Sequence, residues 1–141
     1  MSSRTTTVLG RVRPVVDEKT IDRSAGGHQI DWANVSSAYL QTDGKKFIPA
    51  WTCIGLTLGA GKMSPRVVTT NPAEGFIESD AKEGDLSAAL SGYGVVFGGY
   101  LWENLLPDSS GGPPRVLAAG IKSELVTAGN RFKFFQYTDS R

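Results

Sequence analysis

A chain of 141 residues, 40% hydrophobic and 21% charged, has room for one domain with a real core, since a domain near this size buries roughly 70% of its unfolded surface. A formal net charge of +1 excludes a global electrostatic pull toward nucleic acid or an anionic membrane. One cysteine and one histidine exclude a disulfide framework, a cysteine-rich zinc site and a histidine-based metal site.

Seventeen glycines and seven prolines punctuate the chain along its whole length, which predicts many short strands joined by turns. Residues 1–16 carry Arg4, Arg11 and Arg13 and no acid. They also carry Val8, Leu9, Val12, Val15 and Val16, more aliphatics than a purely solvating tail needs. Gly10 and Pro14 weaken the stretch as a central strand, so residues 1–20 read as an extended arm. Residues 21–29, with Gly26-Gly27, read as its connection to a body spanning 30–141. Sixteen extended residues reach about 50 Å, far enough to leave the body and dock on a neighbour by strand addition.

From Ile30 the pattern predicts strand after strand. Ile30, Trp32 and Val35 suggest a short one, and Asp43-Gly44 marks a hairpin between 39–41 and 46–48. Along 50–58, Ala50, Thr52, Ile54, Leu56 and Leu58 share one face while Trp51 and Cys53 take the other, so both faces should be covered. Pro65 suits an edge or bend. Residues 73–89 read as a polar crossing anchored by Phe76, Ile77 and Leu86. A strong strand at 93–97 should end at Gly98-Gly99, and residues 108–114 should form a loop. Leu117, Ile121 and Leu125 recur every fourth residue between Pro113-Pro114 and Gly129, which predicts a helix. In the last strand Phe132, Phe134 and Gln136 alternate with Lys133, Phe135 and Tyr137. With phenylalanines on both faces, this reads as a buried terminal strand rather than a nucleic-acid platform.

The search for catalysis finds no grouping. His28 sits beside Gly26-Gly27, and no serine lies in a Gly-x-Ser-x-Gly turn. Cys53, inside Trp51-Thr52-Cys53-Ile54, reads as a buried thiol. Gly59-Ala60-Gly61-Lys62 lacks both the earlier glycine and the following Ser or Thr of a phosphate loop. Glu78, Asp80, Glu83 and Asp85 do not have calcium-loop spacing, and read as a solvated loop or as a contact for an arginine-bearing partner. The expectation is therefore no catalytic residues, no metal and no cofactor. With no leader-like or bilayer-length apolar run, the expected site of synthesis is the cytoplasm.

The run Asp43-Gly44-Lys45-Lys46-Phe47-Ile48-Pro49-Ala50-Trp51-Thr52 resembles a hairpin of the head-decoration (cement) proteins of tailed bacteriophages. Glu74-Gly75-Phe76-Ile77-Glu78-Ser79-Asp80-Ala81 and Gly92-Tyr93-Gly94-Val95-Val96-Phe97-Gly98-Gly99 are similar to their following segments. So is the ending, from Leu106-Pro107 through Ile121-Lys122-Ser123-Glu124-Leu125 to Phe134-Phe135-Gln136-Tyr137-Thr138-Asp139-Ser140-Arg141. The likeness covers residues 30–141, with the arm similar in character only, and Trp51 stands where the pattern leads one to expect glycine.

The fold expected is mainly β with one or two short helices, a single domain with an extended N-terminal arm, and the resemblance implies that its compact body is β-tulip-like. The resemblance implies a homotrimer at three-fold and quasi-three-fold positions on the outside of an expanded icosahedral head. Its arm residues Arg4, Val8, Leu9, Arg11, Val12, Arg13, Val15 and Val16 would lie on the major capsid protein. A virion structural protein made in the bacterial cytoplasm, with no nucleic-acid, membrane or small-molecule partner, is the functional expectation. A tail, neck or fibre-tip module is the alternative.

Overall fold

The computed structural model describes residues 13–24, 27–56, 62–85 and 92–138. These residues are mainly β, with one α-helix and several 3-10 turns. The strands are β1 (Asp22–Arg23), β2 (Phe47–Ile48), β3 (Cys53–Gly55), β4 (Ser64–Pro65), β5 (Gly75–Ile77), β6 (Ala81–Lys82), β7 (Val95–Trp102) and β8 (Phe132–Phe135). The helix, α1, is Ala119–Thr127. The main sheet runs β1-β7-β5-β3-β4 with every pair antiparallel, β8 adds to β7 in parallel, and β2 pairs with β6 separately.

Adjacent residues of the central strands point into different cores, as strand alternation requires. Ile54, Ile77 and Val95 join Ile30, Val35, Ile48, Met63 and Tyr93 in one apolar layer. Cys53, Phe76 and Val96 face the other layer, with Trp51, Leu101, Leu106 and the helix residues Ile121 and Leu125. The sheet is therefore covered on both sides, which explains why β3 and β5 are buried throughout.

Four expectations change. Residues 30–35 hold a single bridge, Ile30 to Met63, followed by 3-10 turns at Trp32–Asn34 and Ser37–Tyr39. Local polar side chains favour the turns: Asn34 donates to Asp31 Oδ2 at 2.6 Å, and Ser36 Oγ accepts from the Ala38 N–H at 3.1 Å. The supposed polar crossing at 73–89 contains β5, a central strand too short to show a period of two. The Asp-Gly hairpin forms, with the Gln41 N–H on the Lys45 carbonyl at 2.9 Å and an antiparallel bridge between Leu40 and Lys46, but it extends no further, since Phe47–Ile48 pairs with β6. Finally, β7 runs through Gly98 and Gly99 instead of stopping there.

The two glycines let neighbours approach from both edges. A Cβ on Gly98 would lie 2.9 Å from Asp22 Oδ2 and 3.0 Å from the Arg131 carbonyl oxygen, and one on Gly99 would lie 2.5 Å from Ile21 Cδ1. Gly99 also has φ +145°, which breaks the alternation. Val96 and Leu101, an odd number of residues apart, therefore share one core.

The predicted helix begins at Ala119, later than Pro113-Pro114 suggested, because the intervening residues are tied elsewhere. Ser110 and Val116 bridge each other, and the Leu117 N–H donates to Glu103 Oε1 at 2.8 Å. The helix ends in a Schellman arrangement. The Gly129 N–H donates to the Val126 carbonyl at 2.9 Å and the Asn130 N–H to the Leu125 carbonyl at 3.1 Å, with Gly129 at φ +84°.

Candidate functional site

Of the residues assigned to the arm, Arg4, Val8, Leu9, Arg11 and Val12 lie outside the described residues. The structure places the other three along β7 of the same chain. The Trp102 N–H donates to the Pro14 carbonyl at 2.6 Å, Val15 bridges Leu101, and the Val16 N–H donates to the Tyr100 carbonyl at 2.9 Å. Val15 is half-buried against the second core, so its side chain serves the body. After a 3-10 turn at Glu18–Thr20 the same segment continues as β1, with Asp22 opposite Gly98 and Arg23 opposite Val96.

Arg13 enters a cluster of charges. Its Nη2 lies 3.3 Å from Glu18 Oε2 and 3.8 Å from Glu78 Oε2. Arg23 Nε donates to both Glu78 oxygens, at 2.9 and 2.8 Å, and its Nη2 also reaches Glu18 and Glu78. The hydrogen bond from Arg23 holds the Glu18 carboxyl below its ordinary pKa, and those two carboxylates push the Arg23 guanidinium upward. Glu18 and Arg13 are more than half exposed, so solvent screens the cluster and its value is in orientation more than in stability.

Beside this cluster lies an open groove of about 490 Å³, lined by Arg13, Pro14, Pro49, Ala50, Trp51, Glu78, Leu105 and Pro107. Its floor owes its shape to a tight turn. The Thr52 N–H donates to the Pro49 carbonyl at 3.3 Å, Asp80 Oδ1 accepts from the Ala50 N–H at 2.7 Å, and the Trp51 N–H donates to the Ile77 carbonyl at 2.6 Å. Trp51 sits at φ +68°, the left-handed geometry of the third position of a type II turn, with its ring 5% exposed. The position where glycine was expected thus has a glycine-like backbone, held by burial of a large side chain.

A second surface follows from the reset at Gly99. Tyr100 and Trp102 turn outward, and the parallel register of β8 puts Phe135 beside them. Tyr100–Phe135, Phe135–Trp102 and Trp102–Tyr137 ring centroids are 5.7, 6.4 and 5.5 Å apart, and Lys133 Nζ lies 5.8 Å from the Tyr100 centroid. Phe132 and Phe134 turn inward to Phe76. The terminal strand is therefore half-buried on one side and open on the other, with Tyr100 38% and Phe135 40% exposed. The alternation at 132–137 showed two faces; the missing signal was the break in alternation at Gly99 that brings Tyr100 and Trp102 to the same stripe. The rings meet at steep angles of 53–74°, so they expose edges rather than a flat stacking platform.

The other candidates resolve into structural roles. His28 exchanges backbone hydrogen bonds with Tyr93, packs edge-on to Phe97 at 6.2 Å and is half-buried. Cys53 is buried, and desolvation followed by the nearby Asp108 carboxylate pushes its thiol well above the ordinary range. The acidic run is dispersed: Glu78 meets Arg23, Asp80 caps Ala50, and Glu83 Oε1 accepts from the Lys46 N–H at 3.0 Å. Gly59, Ala60 and Gly61 lie outside the described residues. Among the described residues no three His, Cys, Asp or Glu side chains gather as a metal would require, and no helix is long and apolar enough to cross a membrane. No protein-family model and no curated protein matches the chain.

Proposed function

We propose that the chain is a capsid decoration protein, which binds the outside of an expanded phage head as a homotrimer and stabilises it. The observation that carries this reading is where the segments similar to decoration proteins fall. They become β2 and the Trp51 turn, then β5, β7, α1 and β8, built around one doubly covered sheet. The residue expected to be glycine has the backbone a glycine would have. The major capsid protein is the partner. Residues 1–12, with Arg4, Val8, Leu9, Arg11 and Val12, form the part of the arm left to meet it, because 14–16 are hydrogen-bonded to β7. Twelve extended residues reach about 40 Å. The Tyr100–Trp102–Phe135–Tyr137 stripe offers a second apolar contact, to shell or neighbouring subunit.

A ligand that binds only the assembled shell stabilises it by mass action, and three linked subunits multiply weak contacts. No bond is made or broken, so the role calls for neither cofactor nor small-molecule substrate. The test is co-sedimentation with empty expanded heads of the source phage, comparing the chain with Arg4→Glu/Arg11→Glu. The expected result is pelleting of the parent chain and at least tenfold weaker pelleting of the variant, two lost charge contacts being worth about 1.4 kcal/mol or more. Equal pelleting would remove the arm from the mechanism. No pelleting of either would favour the tail or fibre-tip alternative.

A further inference from the structure

We propose that the outward face of β7 and β8 is a docking surface for an acidic segment of another protein, with Tyr100, Trp102 and Phe135 as its anchors and Arg131 and Lys133 as its charged rim. The inference concerns this face alone and does not need the capsid reading. The first observation is exposure. Tyr100 is 38% and Phe135 40% exposed, and Trp102 and Tyr137 are half-buried. The four rings form one chain of contacts, with centroids 5.7, 6.4 and 5.5 Å apart. Half-buried Val16 extends the apolar face to the other side of β7, its N–H donating to the Tyr100 carbonyl at 2.9 Å. Rings of this kind anchor protein interfaces because they bury a large area with few torsions to freeze.

The second observation is charge. Residues 99–102 and 131–138 include Arg131 and Lys133 and no acid. Lys133 Nζ lies 5.8 Å from the Tyr100 ring centroid, and Arg131 is exposed where its carbonyl accepts from the Gly99 N–H at 2.9 Å. Among the described residues neither cation pairs with a carboxylate, whereas Arg13, Arg23, Arg66, Lys82 and Lys122 each do. The acids on the neighbouring segments are engaged. Asp17 accepts from the Lys19 N–H at 3.0 Å, Glu18 pairs with Arg13 and Arg23, and buried Glu103 holds Lys122 and the Leu117 N–H. Ring orientation has the same sign. The steep packing turns ring edges outward, and an aromatic edge carries the positive part of the quadrupole. Positive edges beside two unpaired cations complement carboxylates set among aliphatic side chains. They do not complement stacked bases, which need ring faces.

The test selects random displayed peptides on the immobilised full chain and measures the selected peptides again on variants. The expected peptides carry several Asp or Glu among Leu, Ile or Phe. They should bind about ten times more weakly to Arg131→Glu/Lys133→Glu and to Phe135→Ala, and more weakly to the parent as salt is raised. Arg131 and Lys133 are exposed, so the double variant keeps the fold, which circular dichroism checks. Lys45→Glu, a charge change of the same sign at an exposed residue of the 43–44 turn, should leave binding unchanged. Selection of basic or uncharged peptides, or of peptides that bind the stripe variants as well as the parent, would overturn the proposal. Two further measurements address other occupants. Self-association seen by light scattering and lost in Phe135→Ala would overturn the proposal and assign the face to a second copy. Oligothymidylate binding lost in the same variant would overturn it in favour of single-stranded nucleic acid. None of these experiments involves a shell, so failure here is distinct from failure of the capsid reading.

Discussion

Trp51 combines two opposing contributions in one side chain. Its backbone at φ +68° costs about 1 kcal/mol for any residue with a Cβ, and its buried ring returns more than that. Trp51→Gly should therefore lower stability by about 2–3 kcal/mol in denaturant unfolding, and Trp51→Ala by about 1 kcal/mol more. Equal losses in the two variants would mean that the turn carries no strain. The position was legible because the surrounding pattern called for glycine; the tryptophan was not, since its burial depends on Leu106 and α1 far along the chain. Asp108 was illegible for the same reason. Its Oδ2 accepts from the Cys53 N–H at 2.6 Å across 55 residues, and burial raises its pKa against the pull of that hydrogen bond and of Arg66. A carboxyl raised in the folded state contributes stability that is fully present below its unfolded pKa of about 3.9 and is lost as pH rises through the folded value. Asp108→Asn keeps an acceptor and removes the buried charge. Its melting temperature should equal or exceed the parent's at pH 7, with the difference closing toward pH 4, whereas a lower value at pH 7 would mean that the charge is net stabilising.

The helix and the turn at 43–44 could be read from the sequence because each is defined by residues close together: the four-residue recurrence of Leu117, Ile121 and Leu125, and an Asp-Gly pair. β5 and the passage of β7 through Gly98-Gly99 could not, because both depend on partners that approach from elsewhere. Gly99→Ala tests the second point. A Cβ there meets Ile21 at 2.5 Å and adopts an unfavourable φ, so a loss of about 2 kcal/mol or more is expected. A neutral substitution would show that the 13–24 segment can move off β7. The helix is also tied to the sheet by charge. Arg66 Nε and Nη2 donate to Glu124 Oε1 and Oε2 at 2.9 and 2.7 Å, and the Ala73 N–H donates to Glu124 Oε1 at 2.8 Å. Arg66 holds the Glu124 carboxyl below its ordinary value, so this contribution is present above the unfolded pKa of about 4.3 and is lost as pH falls through the depressed folded value. Glu124→Gln should cost about 2 kcal/mol at pH 7 and progressively less in acid, measured by denaturant titration at both pH values.

Across the molecule, two apolar layers cover one sheet, and the candidate contacts of this body are the groove near residue 13 and the aromatic stripe on β7 and β8. The mainly β character with a single late helix was legible from punctuation and periodicity. The stripe was only half legible, because its members come from two strands joined by a parallel register that no local pattern encodes. Ile121→Asp places an unpaired charge among Leu101, Leu106 and Leu125, so a loss of about 3 kcal/mol or more is expected by thermal or denaturant unfolding. The proposed decoration role requires this body to recognise an assembled shell. The most direct measurement is sedimentation of the purified chain with expanded and with unexpanded phage heads, quantifying the copies bound per head. The account predicts saturable binding to expanded heads, in multiples of three per site, and little to unexpanded ones. A chain that sediments with neither, at concentrations where it is folded, would contradict it.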